Sequence, residues 1–101
     1  MNTIKFIVTA GVEEHVFRKD SFRQITTTYT SGDTGSVDIY FSPEGDIVDL
    51  DRIRLIVYKD FISTITTSIQ RLLSESKNSE VKHSQTKGIY QQVTSIGYTA
   101  G

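Results

Sequence analysis

The 101-residue chain has no cysteine and no tryptophan, a single proline, a single methionine and two histidines. Without cysteine there can be no disulfide framework, no thiol nucleophile and no thiolate metal site. His15 and His83 lie far apart in sequence, offer little to a metal centre or a proton relay, and read as surface side chains. An excess of one charge is also missing. Eleven Lys and Arg against twelve Asp and Glu leave a net charge of −1, so no field points to nucleic acid or to an anionic membrane. Arg52, Arg54, Lys59 and Arg71 form no basic stripe interleaved with aromatics. Apolar runs last only a few residues, so neither a membrane span nor a signal peptide is expected. Leucine and alanine are scarce. Six of them stand against twenty isoleucines and valines and thirteen threonines. Side chains branched at Cβ lose rotamer freedom in a helix and pack well on a pleated sheet, so the chain leans toward strand. Hydrophobic content of 37% predicts a thin core that gains from neighbouring subunits.

Period-two alternation predicts a first strand over Thr3 to Thr9, with Ile4, Phe6 and Val8 on one face, broken at Ala10-Gly11. A second strand is expected over Val12 to Arg18, with His15 and Phe17 opposite Glu14, Val16 and Arg18. Phe22 to Thr30, with three successive threonines, is the clearest β segment. The loop Ser31 to Gly35 then turns it into a strand over Val37 to Phe41, making a hairpin. Pro43 ends that strand, and Ser42 to Asp46 reads as a turn. Leu55, Tyr58, Ile62, Ile65, Ile69 and Leu72 recur at spacings of three and four, which predicts one apolar helical stripe. Its start is open. Asp49 or Asp51 would cap a long helix; alternatively Ile53 to Tyr58 is a strand and Asp60 caps a shorter helix. The unbroken stripe favours the long helix. Residues 74–87 read as a polar connection, and Gly88 to Thr99 as a last strand returning beside the first. The expectation is one α+β domain over residues 1–101, with about five mostly antiparallel strands packed on one long helix.

Three groups of residues merit a chemical reading. Asp33-Thr34-Gly35-Ser36 matches the D-T-G-S string of aspartic proteases, whose retroviral-type members are dimers of chains about this size. The chemistry needs two carboxylates sharing a proton. The competing reading is a hairpin loop in which aspartate and glycine supply turn geometry, and the polar lead-in Thr28 to Gly32 favours it. Glu44, Asp46, Asp49 and Asp51 form an acidic cluster, but their spacing misses a calcium loop and suits charges at a helix start equally well. The ten aromatics, five Tyr and five Phe, read mainly as core. Tyr29, Tyr40, Tyr90 and Tyr98 are candidate interface anchors, because tyrosine joins an apolar ring to a polar tip.

The strings Ile4-Lys5-Phe6, Ile25-Thr26-Thr27-Thr28, Val37-Asp38-Ile39, Ile62 through Leu72 and Val93 through Ala100 follow one another in order. This succession resembles small virion structural proteins of marine and cyanobacterial tailed phages. Those open on an I-K-F-like strand, continue through a threonine-rich strand and a hairpin to a single helix, and end on a strand after a polar connection. The resemblance covers nearly the whole chain, although the helix lacks that family's alanines and Val12 to Phe17 has no counterpart in it. It implies a non-enzymatic virion protein, a capsid cement or decoration subunit or another minor shell or tail component. Such a subunit would be a homo-oligomer bound to copies of itself and to a major capsid or other virion protein, with no cofactor and no metal. A dimeric aspartic protease and a small adaptor or ligand-binding module are the competing functions.

Overall fold

The computed structural model describes residues 2–8, 13–30, 32–45, 48–83 and 89–101. The expected strand break at Ala10-Gly11 with the flanking Thr9 and Val12, Ser31 of the hairpin loop, Asp46 of the acidic cluster and residues 84–88 lie outside them.

Among the described residues there are seven strands in two sheets and one α-helix, so the chain is α+β and mostly antiparallel. The strands are β1 (Thr3–Ile7), β2 (Glu14–Arg18), β3 (Phe22–Tyr29), β4 (Thr34–Phe41), β5 (Asp51–Tyr58), β6 (Ser79–Val81) and β7 (Val93–Thr99), with α1 (Ile62–Ser74) between β5 and β6. The smaller sheet runs β2-β1-β6 and the larger β3-β4-β5-β7.

Residues 51–58 form a strand, not the first turns of a long helix, and α1 has only 13 residues. Ile53, Leu55 and Val57 are fully buried at period two, while Tyr58 faces solvent. The spacing from Leu55 through Tyr58 to Ile62 mimics a helical stripe by coincidence, because two isoleucines and a valine in six residues favour the pleat. Neither Asp49 nor Asp51 caps a helix. Phe61 occupies the N-cap position and its side chain makes no capping bond.

Along β4, Val37, Ile39 and Phe41 point into the core, opposite Leu55, Ile53 and the start of β5. Two bulges preserve this facing on the flanking strands. Arg23 is the extra residue between Phe22 and Gln24, so both Phe22 and Ile25 pack on the core. Thr94 is extra between Val93 and Ser95, so Val93 and Ile96 are both buried despite their odd spacing. The last strand therefore starts at Val93, after a 3₁₀ turn over Ile89–Gln92, and pairs with β5 instead of β1. The edge beside β1 is taken by β6, which lies parallel to it inside the stretch expected to be only a polar connection.

Phe41 joins the layers. The Phe17 ring stacks on it at 4.2 Å, and Phe6 and Phe22 meet it edge-on at 5.9 and 6.0 Å. The smaller sheet thus packs its Ile4, Phe6 and Phe17 face on the larger one, and Ile62, Ile65 and Ile69 of α1 close the rest of the core.

Candidate functional site

The Phe and Tyr side chains divide by environment. Four of the five phenylalanines fill or flank the core; the fifth, Phe61, is 38% exposed. It stands in the turn between β5 and α1 (residues 59–61), beside Tyr58, which is 45% exposed. Pairing brings a third ring to the same end of the sheet. Tyr58 lies opposite Thr34, and Tyr29, 61% exposed, lies opposite Gly35. The end is tied together by the Lys59 N–H, which donates to the Asp33 carbonyl at 2.8 Å. Gly32, Asp33, Tyr58, Lys59, Asp60 and Phe61 line an open hollow of about 430 Å³ there. Large aromatic surface left in water at one end is the physical signature of a contact region.

The four tyrosines singled out in the sequence are thereby distributed. Tyr29 belongs to this aromatic end. Tyr40 lies half-buried on the outer face of β4, opposite Arg52. Tyr90 and Tyr98 have their hydroxyls engaged within the chain: Tyr90 with Ser68 of α1 at 3.0 Å, and Tyr98 donating to Asp51 Oδ2 at 3.1 Å. Burial raises both phenol pKa values, and for Tyr98 the Asp51 carboxylate adds to the effect. Tyr58 and Phe61 were not legible as site residues, because the helical reading of 53–58 placed Tyr58 on an inward stripe.

Asp33 sits exposed on the β3–β4 hairpin. The glycine of its D-T-G-S string has a packing cause. A Cβ on Gly35 would stand 2.5 Å from Ile62 Cδ1 and 2.5 Å from the Thr28 carbonyl oxygen, so only glycine lets the start of α1 approach β4 this closely. In the acidic cluster, both oxygens of Asp51 are used internally, the second by the Gly101 N–H at 3.0 Å. Among the described residues, no three His, Asp or Glu side chains assemble to hold a metal.

His15 is not a surface side chain. Its ring stacks on Tyr98 at 3.8 Å, and it packs on the core side of β2. Its Nε2 lies 3.5 Å from Glu13 Oε1 without making a hydrogen bond. On the outer face of the larger sheet, Asp38 and Arg54 are directly opposite one another and pair through two bonds of 2.8 and 3.0 Å. The carboxylate raises the Arg54 pKa.

Comparison with protein families, with curated proteins and with solved structures returns no match.

Proposed function

We propose that this chain is a non-enzymatic structural subunit of a virus particle, of the capsid cement or decoration kind, or another minor shell or tail component. It works by associating with its own copies and docking on a major capsid or other virion protein. The carrying observation is the exposed aromatic end of the larger sheet, where Tyr58 and Phe61 line one hollow and Tyr29 stands at the same end on the opposite face. Rigid aromatic rings bury much surface on docking at small cost in side-chain entropy, so they act as anchors. The order of the sequence strings, which resembles that of small phage virion proteins, supports the virion setting, and the near-neutral charge suits contact with protein more than with nucleic acid.

The test is composition. Particles of the virus that carries this gene are purified on a density gradient and their proteins identified by mass spectrometry. The chain is expected in the particle band at a fixed ratio to the major shell protein. Its recovery only from the cell lysate, with none in the particles, contradicts the proposal.

A further inference from the structure

Strand β3 is the outermost strand of the larger sheet. It pairs with β4 on one side, and among the described residues no strand pairs with the other. Such an edge presents a row of backbone donors and acceptors to any extended chain. Soluble proteins blunt these edges with lysine, proline, bulges or short strands. Here the stretch from Gln24 to Thr30, Gln-Ile-Thr-Thr-Thr-Tyr-Thr, carries no charge and no proline. The one bulge lies before it, at Arg23.

We propose that β3 pairs antiparallel with β3 of a second copy of this chain, about a two-fold axis through Thr27, joining two four-stranded sheets into one of eight. This deepens the self-association part of the function proposed above and rests on it. The register follows from facing. A two-fold axis normal to the sheet keeps each face continuous, so directly opposed residues must point the same way. Centring on Thr27 sets Ile25 against Tyr29 of the second copy on the core side, and Thr26 against Thr28 on the outer side. Aromatic on β-branched and threonine on threonine are favourable cross-strand pairs. The bulged Arg23 stays outside the ladder and comes to the hairpin end that carries Asp33 of the other copy. Opposite charges then meet at both ends, and that complementarity argues for a second copy over an unrelated strand. A seven-residue ladder covers well under the roughly 800 Å² per partner of a stable interface. The isolated dimer is therefore weak, and repetition on a shell supplies the hold.

Sedimentation velocity over a concentration series tests the pairing. The parent chain is expected to self-associate, and T27K and T27E each to weaken association roughly tenfold by opposing like charges at the axis. An equimolar mixture of the two restores it. Because the chain has no cysteine, Thr27→Cys is expected to oxidise to a covalent dimer and Thr26→Cys to remain uncrosslinked. A parent that stays monomeric throughout, or T27K and T27E associating as the parent does, overturns the proposal. A chain found in particles but indifferent to T27K sinks the edge pairing and leaves the virion role standing. Edge-paired dimers from a chain absent from particles support the pairing and sink the virion role.

Discussion

The Lys19 ammonium donates to the main-chain oxygen of Leu72, 53 residues further on, at the last turn of α1. It also donates to the Glu75 carbonyl at 3.0 Å and the Ser79 hydroxyl at 2.9 Å. One cation from the β2–β3 connection thus takes one of the carbonyls that a helix leaves open at its C-terminus, together with the Glu75 carbonyl just beyond it, and ties the helix end to the start of β6. Lys19→Met is expected to lose about 1–3 kcal/mol of stability in urea denaturation, with faster hydrogen exchange at residues 79–81. An unchanged midpoint contradicts this role.

Gly35→Ala is expected to destabilise by about 1–3 kcal/mol, since the Thr28 carbonyl that a Cβ would meet is backbone and cannot turn away. Asp33→Asn, two residues earlier and exposed, is expected to stay within about 0.5 kcal/mol of the parent. Thermal denaturation of the two variants checks the contrast. In the same preparations, neither the parent nor Asp33→Asn is expected to cleave peptides at acidic pH; cleavage by the parent alone contradicts the non-enzymatic account.

Asp38 has a side chain only 5% exposed, held by an Arg54 that is 43% exposed. Arg54→Met leaves that carboxylate without its bidentate partner. The expected loss is about 1–3 kcal/mol, below the range for a fully buried pair because water reaches the guanidinium. Replacing both residues by threonine is expected to recover most of it, as a double-mutant cycle would show. A double variant no better than Arg54→Met alone contradicts the pairing argument.

The raised pKa values of Tyr90 and Tyr98 fix a pH dependence. A phenol whose folded pKa lies above its unfolded value of about 10 stabilises the fold fully below that pH. The contribution is lost as pH rises through the folded values. Stability is therefore expected to fall above about pH 10. Y90F and Y98F should each remove part of that fall, measured by urea midpoints across the alkaline range. An alkaline limb that both variants leave unchanged contradicts the assignment.

The sequence made β1, β3, β4 and the Pro43 turn legible because each obeys a local rule. Ile4 and Phe6 alternate, the threonine run resists a helix, and Gly45 closes the turn with a positive φ of 82° and a bond to the Ser42 carbonyl. What stayed hidden depends on distant partners. β6 is three residues in a polar stretch and becomes a strand only by lying beside β1. The bulges at Arg23 and Thr94 shift facing by one residue, and no periodicity reveals them. The same holds for the aromatic end. Tyr29 stood out, but Tyr58 turned outward only once residues 51–58 were a strand, and Phe61 gained its exposure from the turn that follows.

Docking through the aromatic end is tested most directly by co-sedimentation of purified chain with particles stripped of it, comparing the parent with the double variant Tyr58→Ser, Phe61→Ser. Both positions are already substantially exposed, so the variant is expected to fold, with an unchanged circular dichroism spectrum. The parent is expected to sediment with the particles, and the variant to remain in the supernatant. A folded variant that binds as fully as the parent, or a parent that does not bind, contradicts the account.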